Sequence, residues 1–66
     1  NSHFYNLNMN GANMNNADLS GATFENVNLY NSDLTGADLT GVSWTNVICP
    51  AGGNSDDNGN TCENNL

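Results

Sequence analysis

The sequence contains no lysine and no arginine. Seven acidic residues and one histidine leave the 66-residue chain with a formal net charge of −7 at pH 7. Nucleic-acid binding depends on basic side chains that neutralise phosphates, so we expect no direct binding to DNA or RNA. The same lack removes the cations that would stabilise an anionic substrate or intermediate.

Long apolar stretches and catalytic groupings are missing as well. No run approaches the length that crosses a membrane, so we predict no membrane insertion. The only histidine is His3, and no serine–histidine–aspartate or cysteine–histidine set accompanies it. Asp18 and Asp38 have no nucleophile or second base nearby, so we interpret them as solvated carboxylates. We therefore predict no enzyme, no catalytic residue and no cofactor-binding site.

A period of five residues organises what is present. An apolar residue recurs at every fifth position, and a small or β-branched residue usually stands two places before it. These central residues are Phe4, Met9, Met14, Leu19, Phe24, Leu29, Leu34, Leu39, Trp44 and Cys49. Such spacing fits neither the helix period of 3.6 nor the strand period of 2. A short fixed period indicates a stacked repeat.

The pattern resembles the pentapeptide-repeat proteins, whose repeat is a small residue, Asp or Asn, Leu or Phe, and two variable residues. Ala-Asp-Leu-Ser-Gly at 17–21 and Ala-Asp-Leu-Thr-Gly at 37–41 match it closely, and the resemblance covers residues 2–49. It implies an all-β fold, a right-handed quadrilateral β-solenoid with four repeats in each square coil. About two and a half coils are expected, with the central and preceding small residues pointing inward.

A coil of four repeats predicts that each residue lies under the residue twenty positions later. Phe4, Phe24 and Trp44 then form one inner column. Asn6, Asn26 and Asn46 form an outer column. Coils would stack like strands about 4.8 Å apart, and columns of asparagine and aromatic side chains stabilise such stacking.

The frame breaks at Pro50, which divides the chain into a solenoid at 1–49 and an irregular cap or tail at 50–66. Cys49 and Cys62 are even in number in a small chain, and we predict that they form a disulfide that fastens the tail. Two free thiols are the alternative. With the resemblance, the disulfide points to a secreted or extracellular protein of bacterial type.

The tail also contains an oxygen-rich stretch. Asn54, Asp56 and Asn58 alternate and are followed by Gly59, as in the first half of a calcium loop. The twelfth position is Asn65, which cannot bind as a bidentate carboxylate. Calcium is therefore one prediction for these three residues, and a turn rich in Asn and Asp is the other.

Both ends of the stack are expected to be uncovered. The inner residues Phe4, Leu7 and Met9 have no capping segment before them, and Leu34 and Leu39 lie beyond the half coil that ends at Cys49. Incomplete ends of matching cross-section predict head-to-tail homo-oligomers and open fibres. We therefore predict a non-catalytic structural subunit that self-assembles into a filament or another extracellular structure.

A binding module is the alternative function. The resemblance implies it, because some members of the family mimic DNA with an acidic rod and occupy the DNA site of type II topoisomerases. The net charge agrees with this alternative. The short stack and the many asparagines at the Asp positions of the repeat argue against it.

Overall fold

The backbone returns to the same position every twenty residues. The computed structural model describes residues 2–63 and 65–66. Its sheet contains three short parallel strands in the order β1 (His3–Tyr5), β2 (Thr23–Glu25) and β3 (Ser43–Thr45). Residue n pairs with residue n+20 along both strand pairs. We call residues 2–21 the first coil, 22–41 the second and 42–49 the third, partial coil.

Parallel pairing occurs on four sides of the coil. The strands form side one, and isolated bridges form the other sides. Side two contains residues 8, 28 and 48, side three contains 13 and 33, and side four contains 18 and 38. Successive sides are five residues apart, so each pentapeptide contributes one side. This is the β-solenoid arrangement that the repeat implies.

The second residue of most repeats turns the chain locally. Its side-chain oxygen accepts a hydrogen bond from the backbone N–H two residues later, at 2.9–3.1 Å. This Asx turn is available to both Asn and Asp, which explains why the two residues alternate at one position. The residues are Asn8, Asn13, Asp18, Asn28, Asp33 and Asp38.

The fifth residue of each repeat has a left-handed backbone. Nine successive fifth positions, from Asn6 to Asn46, have φ between 49° and 74°, and every one is Asn or Gly. These residue types enter that region at the lowest cost. The next fifth position is Ala51, and there the positive φ moves to Gly52 at 97°. The regular coil therefore ends where the fifth position is neither Asn nor Gly.

The core is a set of inward columns. Phe24 is fully buried, and its ring stacks on Phe4 with centroids 4.7 Å apart and on Trp44 with centroids 5.2 Å apart. The ring planes in the two pairs differ by 10° and 16°. Leu29 and Val27 in the second coil are also almost completely buried. The second coil is therefore the best covered part of the stack.

The described part of the chain contains one helical element, a 3-10 turn at Ser55–Asp57. Within that part, no helix is long and apolar enough to cross a membrane.

Asn31 gives a direct test of the corner requirement. Its φ is 62°, and its backbone N–H donates to the Pro50 carbonyl at 2.9 Å. The left-handed conformation costs conformational free energy for alanine because of its Cβ atom, whereas glycine has no Cβ atom and adopts it freely. We expect Asn31→Ala to be less stable than Asn31→Gly by about 1 kcal/mol in denaturant unfolding. Equal stabilities of the two variants would contradict this account of the fifth position.

Candidate functional site at the two ends of the coil

Among the described residues, nothing covers the inner columns at the amino-terminal end, whereas the tail covers part of the other end. Leu7 is 45 % exposed, whereas Val47, two coils later in the same column, is 0 % exposed. Phe4 is half-buried, while Trp44 at the opposite end of the aromatic column is only 5 % exposed. We call the open end the N-terminal face. Its inward residues are Phe4, Leu7, Met9, Ala12, Met14 and Ala17.

The tail covers the third coil by pairing with it. Ser55 is completely buried, and its N–H donates to the Val47 carbonyl at 2.8 Å. Its hydroxyl oxygen accepts from the Val47 N–H at 3.1 Å. Ile48 and Asn54 form an antiparallel bridge, and the Cys49 N–H donates to the Gly53 carbonyl at 2.8 Å. The chain therefore reverses after Pro50, and the tail covers side two and the end of side one.

The predicted disulfide is present. Cys49 and Cys62 are bonded with their Cα atoms 5.3 Å apart, and both residues are fully buried. The bond joins the end of the third coil to the distal part of the tail. A disulfide is typical of proteins in a non-reducing environment.

The three residues predicted as calcium ligands hold the cap together. The Asn54 side-chain oxygen accepts from the Asp56 N–H at 2.8 Å, and an Asp56 carboxylate oxygen accepts from the Asn46 N–H at 3.0 Å. The Asn58 amide donates to the Asn54 carbonyl at 2.9 Å. Among residues 2–63 and 65–66, no three His, Cys, Asp or Glu side chains group as metal ligands would. Calcium binding stays a sequence-based prediction.

An asparagine column crosses the outer surface beside the cap. Asn26 donates to Asn6 at 3.0 Å, and Asn46 donates to Asn26 at 2.8 Å. Asn54 from the tail donates to Asn46 at 2.8 Å and so extends the column beyond the repeats. All amides donate toward the N-terminal face. The oxygen that ends the column at the tail is bonded to the Asp56 N–H.

Sides three and four lack a third coil, and the tail reaches them only in part. Leu34, expected to be uncovered, is only 7 % exposed. Leu66 lines one groove of about 370 Å³ with Leu34 and Leu39. The tail therefore reaches this end through Leu66, although most of its residues are polar. Leu39 is half-buried.

The backbone edge on these two sides is open. The donors of the first coil at residues 14, 16, 19 and 21 bond to carbonyls of the second coil at 2.8–2.9 Å. Their equivalents twenty residues later have no acceptor among the residues that the structure describes. They are the N–H groups of Leu34, Gly36, Leu39 and Gly41.

The acidic residues are distributed unevenly between the ends. The seven acidic residues are Asp18, Glu25, Asp33, Asp38, Asp56, Asp57 and Glu63, and none of them lies in residues 1–17. The N-terminal face is therefore almost free of carboxylates, whereas the opposite end carries several.

Local hydrogen bonds keep the coil carboxylates ionised. The Ser20 hydroxyl at 2.7 Å and the Ser20 N–H at 3.1 Å hold the pKa of Asp18 below its usual value. Thr35 lowers the pKa of Asp33 in the same way. Because the folded pKa lies below the unfolded one, the stabilisation is present above the unfolded pKa and is lost as pH falls through the folded pKa.

Four-sided coils stacked in parallel, each built from five-residue repeats, define a β-solenoid, and a comparison with family models gives its family. The model described as Pentapeptide repeats matches residues 1–46 in eight copies. The chain belongs to the pentapeptide-repeat family. No curated protein and no solved structure matches it.

Ser55 tests the docking of the tail. Ser55→Ala removes the acceptor of the buried Val47 N–H, and an unsatisfied buried donor costs about 1–3 kcal/mol. We expect that loss in denaturant unfolding. Asp57→Ala, in the same turn but exposed, is the control and should change stability by less than about 0.5 kcal/mol. Similar losses in both variants would contradict the docking role of Ser55.

Proposed function

We propose that this chain is a non-catalytic structural subunit that self-associates through its coil ends to build a filament or another extracellular structure. Its fold is proposed as a right-handed quadrilateral β-solenoid of about two and a half coils. The observation that carries the proposal is the N-terminal face, where Leu7 is 45 % exposed and no described residue covers the inner columns.

Backbone pairing gives this face a preferred kind of partner. The second coil is held on the first by N–H and carbonyl groups spaced at five-residue intervals. The edge of the first coil at the N-terminal face presents backbone N–H and carbonyl groups at the same five-residue spacing. Unpaired strand edges favour pairing with another strand. Repeat arrays need caps at their ends for the same reason. Another copy of this coil matches the edge in both size and spacing.

The disulfide supports a location outside the cytoplasm. Cys49 and Cys62 are bonded and buried, and stable disulfides are rare in reducing compartments. Secretion of the subunit follows from the proposal that it builds an extracellular structure.

The distribution of polar groups supports a non-catalytic role. His3 bonds through Nδ1 to the Tyr5 hydroxyl at 2.9 Å on the outer surface. Asp18 and Asp38 form a backbone β-bridge on side four. Each carboxylate accepts a hydrogen bond from the backbone N–H two residues later. Pentapeptide-repeat proteins are generally non-enzymatic. The proposal needs no cofactor, and calcium at Asn54, Asp56 and Asn58 is separate from it.

The DNA-mimic alternative is favoured by the net charge of −7. Shape and charge placement weigh against it. The molecule measures 25 × 21 × 21 Å and is not a rod. Its first 17 residues have no carboxylate, so an acidic surface of DNA-like length is missing. Self-association is therefore the better supported function.

Sedimentation velocity over a range of concentrations, with electron microscopy of the same samples, tests the proposal. We expect concentration-dependent association by the natural sequence. Leu7→Glu places a charge on the N-terminal face and should leave the protein monomeric. Tyr30→Glu adds the same charge at a residue that is 44 % exposed in the second coil, between the two ends, and it should still associate. A folded monomer of the natural sequence at every concentration would overturn the proposed function.

A further inference from the structure

We propose that two copies dock N-terminal face to N-terminal face about a twofold axis, with β1 pairing antiparallel to β1 of the second copy. The first step of self-association is then a dimer. The inference rests on the proposed end-to-end association and specifies its interface and its partner, a second copy of this chain.

The tail obstructs the simplest head-to-tail contact. In that contact, β1 of one copy would continue the sheet beyond β3 of the next. The 3-10 turn at Ser55–Asp57 follows the Ile48–Asn54 bridge and is bonded to Val47 and Asn46 at this end. The Cys49–Cys62 bond holds the remaining tail there. The N-terminal face has no such cover among the described residues.

Charge favours the same pairing of ends. Two carboxyl-terminal ends would bring together Asp33, Asp38, Asp56 and Asp57 from both copies, and the chain has no lysine or arginine to compensate them. Two N-terminal faces bring together the first coils, residues 2–21, in which Asp18 is the only carboxylate. The electrostatic cost of association is therefore lowest between N-terminal faces.

A twofold axis perpendicular to the coil reverses the chain direction of the second copy. Opposed sides therefore pair antiparallel, in contrast to the parallel pairing within one chain. Side one is the natural centre, because only there do three successive residues form a strand on the first coil. Pairing centred on Phe4 places it opposite the partner's Phe4 and places His3 opposite the partner's Tyr5.

Stacking of aromatic rings favours pairing centred on Phe4. Phe24 has stacked neighbours on both faces, whereas Phe4 has one stacked neighbour among the described residues, Phe24. The partner's Phe4 would supply the second, and the column would continue without interruption through the dimer. Stacked aromatic pairs add about 0.5–1.5 kcal/mol beyond the burial of their area.

The size of the face sets the expected strength. The molecule is 21 Å across in two of its dimensions, and two faces of this width would bury on the order of 900 Å² in total, below a standard interface. We therefore expect a weak dimer whose population rises with concentration.

Cysteine crosslinking tests the register. In the antiparallel pair centred on Phe4, a cysteine at position 3 lies opposite position 5 of the partner, with Cβ atoms about 4.5–5.5 Å apart. Both native cysteines are already bonded to each other. Under mild oxidation, a mixture of His3→Cys and Tyr5→Cys chains should form severalfold more crosslinked dimer than either variant alone. Mass spectrometry identifies the mixed species.

A third variant examines the head-to-tail arrangement. Asp57→Cys places a thiol on the exposed part of the tail turn. Preferential crosslinking of His3→Cys chains with Asp57→Cys chains would overturn the face-to-face dimer and leave self-association standing. Failure of the natural sequence to associate in sedimentation would overturn the proposed function and the dimer together.

A measurement on the natural sequence tests the same register without depending on the folding of the cysteine variants. A mixture of isotope-labelled and unlabelled natural protein should show nuclear Overhauser effects between the Phe4 ring of one copy and the Phe4 ring of the other. Contacts between Phe4 and residues of the tail in their place would overturn the proposed register.

Discussion

The left-handed backbone at every fifth residue is the constraint on which the structure depends. Nine successive corners have positive φ, and each is Asn or Gly. Because the corners recur every five residues, the central side chains always face inward and four repeats return the chain to its starting side. Twenty-residue pairing and stacked columns follow from that return. Where Ala51 stands at the next fifth position, the positive φ moves to Gly52 and the tail reverses direction.

Much of the coil could be predicted because its signals are periodic. The spacing of Phe4, Phe24 and Trp44 in the sequence corresponds to the stacked column in the structure. The Asx turns and the left-handed corners were not predicted, although the second and fifth positions have distinct compositions. The restriction of nine corners to Asn and Gly is the signal that distinguishes the fifth position from the other outward positions.

The tail could not be predicted in the same detail because it has no period. Ser55 is a small polar residue in a run of turn-forming residues, yet it is completely buried and bonded to Val47. That role depends on an antiparallel bridge between Ile48 and Asn54, which is a tertiary contact. Leu34 was expected to be uncovered unless the tail reached it, and Leu66 of the tail lines the groove beside it.

The two ends therefore have different physical characters, and the function proposed here depends on that difference. This difference requires that the first two coils stack and that sides three and four have an open edge at the carboxyl-terminal end, and amide hydrogen exchange tests this requirement most directly. The Leu19 N–H donates to Asp38 in the next coil at 2.9 Å, whereas the Leu39 N–H, twenty residues later, has no acceptor among the described residues. We expect slow exchange at Leu19 and fast exchange at Leu39 in the folded protein. Equal protection of the two amides would contradict the stacked, unevenly capped coil.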